Sequence, residues 1–314
     1  MKIFDVSNSK ASLRNKAALY GPKENDIVRY LKQYAPEFGH QFVQSAEDAD
    51  VIFTNDIFPE PFLGKRKVKR MDGVFSRADV VHRNEALNRA AQEADSVIFI
   101  SEYSRESYFN LYDPKRDTIK SFTVIPNEVD PTVFYPSTVI SEHPREMIAV
   151  ASDWIRPEKR LNDLLFLARI APETNFTLIG KVPEISYPKN IILKGYVDTP
   201  EKLGDALRMA DGMVSLFYKD AYPKTMVQAK YCGLPVIFAG SGGQTQMGVA
   251  GVCITDTDKY SFDNSVPRLD PFEIEVGWKD FSGYFPGLKQ FAMQYKGRND
   301  FVGMLRSYFE KLQG

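Results

Sequence analysis

Two stretches of the chain carry polar side chains at spacings suited to holding an anion. The first, Ser152-Asp153-Trp154-Ile155-Arg156-Pro157-Glu158-Lys159-Arg160, follows the apolar run Met147–Ala151 and precedes Leu161, Leu164, Leu165 and Ala168, which are helically spaced. Arg156, Lys159 and Arg160 therefore stand at a helix N-terminus, where the macrodipole and unpaired backbone N–H groups already favour negative charge. A diphosphate suits such a loop; solvated charge with a capping acid is the plainer alternative. The second stretch runs from Asp220 to Gln228 after the apolar run Gly212–Leu216. Pro223 suits the first turn of a helix, Gly233 its C-terminal cap, and Pro235 the opening of the next strand. Lys224 and Gln228 are four apart and share one helical face, with Asp220 just ahead of it. A short helix offering polar groups between two buried strands is a ligand platform, against the alternative of a stabilising ion pair. A third loop, Ala239-Gly-Ser-Gly-Gly-Gln-Thr-Gln246, is glycine-rich. It reads either as a flexible turn or as a wrap of backbone N–H groups around a ligand.

The elements that position these loops are legible as apolar runs. Candidate strands are Lys2–Val6, Val51–Thr54, Val68–Met71, Ser96–Ile100 and Phe122–Ile125, then Met147–Ala151, Asn175–Ile179, Ile191–Leu193, Gly212–Leu216, Pro235–Phe238 and Val252–Thr255. Most are short and apolar nearly throughout, as in parallel strands buried on both faces. Amphipathic stretches separate them, and Phe301, Met304, Leu305 and Tyr308 give the last helix its apolar face. This alternation predicts α/β architecture, with ligands outside the carboxyl ends of the strands. Asp130–Arg145, with three prolines and little periodicity, reads as a linker. Residues 256–290 are rich in Asp, Pro, Gly and aromatics and read as irregular surface structure.

The 314 residues suffice for two modest domains, and 43% apolar with 26% charged residues is ordinary for a globular chain. Forty basic against 41 acidic residues leave a net charge of -1, which gives nucleic-acid binding no support. Cys232 and Cys253 lack metal-ligand spacing, so neither a zinc site nor a disulfide framework is expected, and a reducing cytoplasm fits. The N-terminal MKIFDVSNSK turns polar too soon for a secretory signal. No apolar run approaches the roughly 20 residues of a membrane span, so peripheral contact is the only membrane contact expected.

Five segments, in order, resemble the retaining glycosyltransferases of the GT-B fold, specifically the GT4-like (glycosyltransferase group 1) family. They are VIPNEVDPTVFYP (Val124–Pro136), RPEKRLNDLL (Arg156–Leu165), FTLIGK (Phe176–Lys181), IILKGYVD (Ile191–Asp198) and the stretch Ala210–Ile237. The likeness is best over residues 120–255. It implies two Rossmann-like domains with parallel sheets facing across a cleft. These are an acceptor domain over 1–135, a donor-nucleotide domain over 136–275, and a helical segment, 276–314, packing back toward the N-terminal domain. The implied reaction moves a sugar from a nucleotide-sugar co-substrate to a hydroxyl of a glycan, lipid-linked sugar or other acceptor. The anomeric configuration is retained, and neither metal nor cofactor is needed.

The resemblance also assigns roles. Lys159 falls on the lysine that pairs with the donor diphosphate; the family's partner arginine is replaced by Trp154, leaving Arg156 as a substitute. The family's E-x7-E pair falls on Asp220 and Gln228, the first by the donor sugar and the second on the ribose hydroxyls. Ala221-Tyr222-Pro223 replaces the usual Gly-Phe-Gly, and Pro223 lacks the N–H that a glycine offers. Ser152, Gly180, Lys181, Tyr222, Lys224 and Thr225 complete the implied donor contacts. In the N-terminal half, Arg70-Met-Asp72-Gly73 resembles the R-x-D-G of some members and makes Asp72 the carboxylate near the reacting carbon, unless it merely caps a turn. His82 is a further candidate, although a lone histidine is more often structural. Two basic stretches, Ser7–Lys16 and Gly64–Arg70, suit an anionic acceptor or are simply solvated. A sugar-nucleotide epimerase of the same fold and a non-catalytic nucleotide-sugar-binding module are the alternatives.

Overall fold

The computed structural model describes residues 1–6, 25–59, 62–75, 81–138, 142–256 and 265–314. The basic stretch Ser7–Lys16 lies outside them. The chain forms two compact units; the first holds Met1–Asn127 and the terminal Val302–Gly314, and the second begins at Glu128 and includes Ser265–Phe301.

In the first unit, β1 (Lys2–Asp5), β2 (Gln41–Phe42), β3 (Val51–Thr54), β4 (Arg66–Met71), β5 (Ser96–Phe99) and β6 (Phe122–Val124) form one sheet in the order β2-β1-β3-β4-β5-β6. All neighbours are parallel. Described helices are α1 (Asp26–Tyr34), α2 (Asn84–Glu93) and α3 (Glu102–Tyr112). Local chemistry sets their starts: Asn25 Oδ1 accepts from Ile27 N at 3.0 Å, and Ser101 Oγ from Ser104 N at 2.9 Å. Val97, Phe99, Ala90, Ala91, Tyr108 and Phe109 belong to the core between sheet and helices.

The second sheet contains β7 (Glu146–Asp153), β8 (Asn175–Lys181), β9 (Ile191–Gly195), β10 (Gly212–Ser215), β11 (Val236–Ala239) and β12 (Gly251–Ile254), again all parallel, in the order β12-β11-β10-β7-β8-β9. The helices are α4 (Leu161–Ile170), α5 (Pro200–Arg208), α6 (Lys224–Tyr231), α7 (Pro271–Ala292) and α8 (Arg298–Gln313), the last belonging to the first unit from Val302 onward. Thr199 and Asp270 cap α5 and α7, each followed by a proline whose missing N–H costs nothing there. The apolar strand pattern is matched except at the edges. β9 is an edge strand, so Ile192 and Leu193 are exposed, and β2 is too short to register as a run.

One expectation is corrected and another is narrowed. Residues 271–292 are not irregular surface but the long helix α7. Its Ile274, Trp278, Phe281 and Phe285 recur at helical spacing and pack with Leu164, Leu165 and Ala168 of α4 in the core of the second unit. Gly277, Gly283, Pro286 and Gly287 hid that pattern. Gly277 is required by packing, since a Cβ there would lie 2.8 Å from Ile254 Cγ1. The basic run Gly64–Arg70 is drawn partly inward: Gly64 is exposed, Lys65, Arg66 and Lys67 are half-buried, and Lys69 and Arg70 are buried. Lys65 Nζ donates to the carbonyls of Glu47 at 2.8 Å and Ala49 at 2.6 Å, and the buried Lys69 Nζ donates to Arg70 O at 2.9 Å. Arg70 is buried against Tyr308 and Asn127.

If α7 is core, Phe281→Ala should destabilise the second unit by about 3–5 kcal/mol, read from urea unfolding midpoints. A loss below about 0.5 kcal/mol, the usual cost at a surface site, would contradict this packing.

Candidate functional site

Sheet growth in the second unit reverses direction between β7 and β10. The chain leaves β7 toward β8 on one side and leaves β10 toward β11 on the other. The two loops therefore diverge beyond the carboxyl ends of adjacent strands, where open parallel sheets take ligands. Both polar stretches emerge here, one after β7 and one after β10.

The loop after β7 is shaped first by packing. Trp154 is buried; its Nε1 donates to Ile179 O at 2.9 Å, its backbone N to Lys181 O at 2.8 Å, and its ring meets Phe217 edge-on at 6.1 Å. The indole thus occupies structural space where the family resemblance calls for a cation. Gly180 has φ +121°, and a Cβ there would lie 1.6 Å from Ala151 O, so only glycine lets β7 and β8 approach where their register shifts. Ser152 and Lys181, at the ends of these strands, are exposed.

Lys159 joins the two loops. Its Nζ lies 3.8 Å from the centre of the Phe217 ring and 3.1 Å from Asp220 Oδ2, with 11% of the side chain exposed. A cation on an aromatic face contributes about 0.5–2 kcal/mol, more as it is desolvated. A backbone bond from Tyr218 N to Glu158 O at 2.9 Å ties the same loops. The other two cations are engaged elsewhere. Arg156 pairs with Glu158 in its own loop. Arg160, buried and left-handed at φ +49°, holds Asp256 at 2.6 and 3.1 Å and Pro267 O at 3.0 Å, beneath Tyr218.

α6 opens beside this pair. Its first turn holds no acidic residue, and the Asp220 carboxylate stands just ahead of the helix. Pro223 precedes the helix, Lys224 is exposed at its start, and Gly233 closes it at φ +68°. Asp220 Oδ1 accepts from Tyr222 N at 3.3 Å. Thr225 Oγ1 and Gln228 Oε1 are buried and have no hydrogen-bond partner among the described residues. Three residues apart, they share a helical face. Each unsatisfied buried group costs about 1–3 kcal/mol, a cost removed if a ligand supplies hydroxyl or N–H groups there.

Sequence reasoning missed Gln244, inside the glycine-rich loop. Its Nε2 lies 2.7 Å from Phe217 O and 3.2 Å from both Ala239 O and Ser241 O, while its Oε1 accepts from Ser215 Oγ at 2.8 Å. No periodicity could flag it, because a glutamine among glycines reads as a turn.

Asp72 lies in the first unit, just after β4, with its side chain 59% exposed and paired with Arg70. His82 is exposed. Among the described residues, no group of three or more His, Cys, Asp or Glu is placed to hold a metal ion, and no helix is long and apolar enough to cross a membrane.

No protein-family model matches the sequence, and no curated protein matches it. Solved structures do match. WaaG, a glycosyltransferase involved in lipopolysaccharide biosynthesis, is similar at a TM-score of 0.68 and 12% identity, over 100% of both chains. HepE of Anabaena, solved with UDP and glucose, gives 0.64 and 15% identity over 100% of this chain and 99% of that one. Sucrose-phosphate synthase from Thermosynechococcus elongatus gives 0.62 and 15% identity, over 91% and 76% respectively. At such identities the likeness establishes the fold, which is GT-B.

Beside α6, Glu128 sits with Tyr231, Lys230 and Asp300. Burial lifts its carboxyl from the ordinary 4.5 to about 7; Tyr231 and Lys230 oppose the rise and Asp300 adds to it. The buried Tyr222 phenol is pushed above its ordinary range by burial and by the charges of Glu128 and Asp300. The folded state therefore holds a proton on Glu128 that the unfolded chain releases near pH 4.5. Stability should fall as pH rises from about 4.5 to about 7 and level off above. Glu128→Gln should flatten that slope in urea titrations; an unchanged slope would rule the carboxyl out.

Proposed function

We propose that this protein is a glycosyltransferase that takes its sugar from a nucleotide-sugar bound mainly by the second unit. The observation carrying the reading is the Lys159 ammonium, held over Phe217 and against Asp220 where the loops after β7 and β10 diverge. The nucleotide diphosphate takes the place of the Asp220 carboxylate on Lys159 and lies toward the N-terminus of α6. Leaving-group charge is then met by a fixed cation and a helix dipole, the kind of preorganised electrostatics that lowers a transfer barrier. Gln228 and Thr225, whose side-chain oxygens lack partners among the described residues, take the ribose hydroxyls. HepE, of like fold, was solved with UDP-glucose as well as with UDP and glucose, which supports a nucleotide-sugar in such a frame.

Three finer points belong to the same proposal: retention of configuration, independence of a divalent metal, and Asp72 as the carboxylate at the reacting carbon. Each follows the family resemblance. The acceptor is a hydroxyl compound such as a glycan or lipid-linked sugar, met by peripheral contact if it lies in a membrane. One observation favours a second reading, a nucleotide-sugar-binding module without turnover. The position of the family's second phosphate cation is filled by Trp154, packed inside the loop, and Arg156 is spent on Glu158.

Lys159→Ala should lower donor kcat/KM about 100-fold, the scale of losing a preorganised charge contact in the transition state. Gln228→Ala should raise donor KM about tenfold, as for one or two neutral hydrogen bonds, with kcat nearly unchanged. Steady-state kinetics on hydrolysis or transfer separates them. Unaltered kinetics in both variants would sink the donor assignment; nucleotide binding without turnover in the parent would select the binding module.

A further inference from the structure

The Lys159–Asp220 pair is built on the loop after β10, and that loop has little regular structure to hold it. What holds it is the glycine-rich turn after β11. Gly243 N donates to Asp220 O at 2.8 Å, and Gly242 (φ +69°) backs so closely on Asp220 that a Cβ would lie 2.3 Å from its carbonyl oxygen. Ser241 Oγ reaches Phe217 O at 3.3 Å and accepts from Lys219 N at 3.4 Å. At the centre, the buried Gln244 amide spans the two loops. It faces Phe217 O on one side and the carbonyls of Ala239 and Ser241 on the other, with Ser215 Oγ fixing its oxygen.

We propose that Gln244 is a positioning residue for Lys159. It holds Phe217, whose ring carries the ammonium, and braces the turn whose N–H fixes the backbone of Asp220, the ammonium's counterion. The chemistry demands an amide. Three carbonyl oxygens converge on one nitrogen with two hydrogens, and a hydroxyl donates to the other end. A carboxylate of the same shape would set negative charge against those three oxygens. A hydrophobe would remove the donor that the three share. Gln244 itself does not touch the proposed ligand site; it acts through Phe217 and the turn.

The test is Gln244→Glu, read first without any nucleotide. Lys159 is largely covered and Lys202 is 65% exposed, so acetylation of each, followed by mass spectrometry, gives an internal ratio. The Lys159/Lys202 labelling ratio should rise about tenfold at pH 8, the scale of one lost neutral hydrogen bond. It should fall back toward the parent at pH 6, because burial among three carbonyl oxygens raises the carboxyl's pKa and the protonated form again donates. A merely structural lesion would raise labelling at both lysines and show no such return. If Gln244→Glu does not fold, Ser241→Ala, which removes the hydroxyl shared by Phe217 O and Lys219 N, should raise the same ratio. Parent-like ratios in the folded variant at both pH values would overturn the proposal. The donor-site reading underlies the expected weakening of nucleotide binding in Gln244→Glu, but the labelling does not depend on it. A parent that binds no nucleotide would defeat that reading and leave the Gln244 result standing on its own.

Discussion

Everything proposed for this molecule turns on one lysine bridging two loops that the sheet drives apart. Parallel strands connected by right-handed crossovers must place successive elements on opposite sides once the order reverses, and here the reversal falls between β7 and β10. The space beyond those strand ends is a consequence of topology rather than of any particular side chain. Lys159 is the side chain that spans it, between an aromatic face and a carboxylate. A largely covered ammonium needs a counter-charge, and Asp220 supplies it. The same need makes the site receptive to an anion that brings more charge and more hydrogen-bond acceptors than one carboxylate.

The surroundings tune that receptivity in an unusual direction. Arg156 and Arg160, adjacent in sequence to the bridging lysine, are neutralised by Glu158 and Asp256. Trp154 adds packing where the family resemblance calls for charge. The positive potential at this place comes from Lys159, from the exposed Lys224 and from the start of α6, whose first turn contains no acidic residue. Gln228 offers a neutral amide, so the ribose contact proposed for it adds no negative charge beside the phosphates. Lys159 is held by geometry as much as by charge, which is why the Gln244 amide and the tight approaches at Gly180 and Gly242 carry weight.

The sheets were readable from the sequence because parallel strands buried on both faces leave unbroken apolar runs; Val51–Thr54 and Ser96–Phe99 are fully buried along their length. The loops after β7 and β10 were readable because topology places ligand loops after strands. What escaped did so for identifiable reasons. α7 carries its core residues among three glycines and a proline, and local punctuation masked a pattern that tertiary packing enforces. The basic run leading into β4 looked like surface because charge density is visible in sequence, whereas Lys65 and Lys69 capturing backbone carbonyls is not. Gln244 was invisible because its partners are carbonyls brought together only by the fold. Conversely, Lys159 and Asp220 were named from spacing and resemblance, and the structure places them in contact.

The most direct measurement is calorimetric titration of the protein with UDP, GDP, ADP and CMP and their sugar conjugates, with and without EDTA, in the parent and in Lys159→Ala. The account predicts that at least one nucleoside diphosphate binds, that EDTA leaves the affinity unchanged, and that Lys159→Ala weakens binding about tenfold or more, as for a lost charge-assisted hydrogen bond. Binding that survives the loss of Lys159 undiminished, or no binding of any nucleotide by the parent, would contradict it.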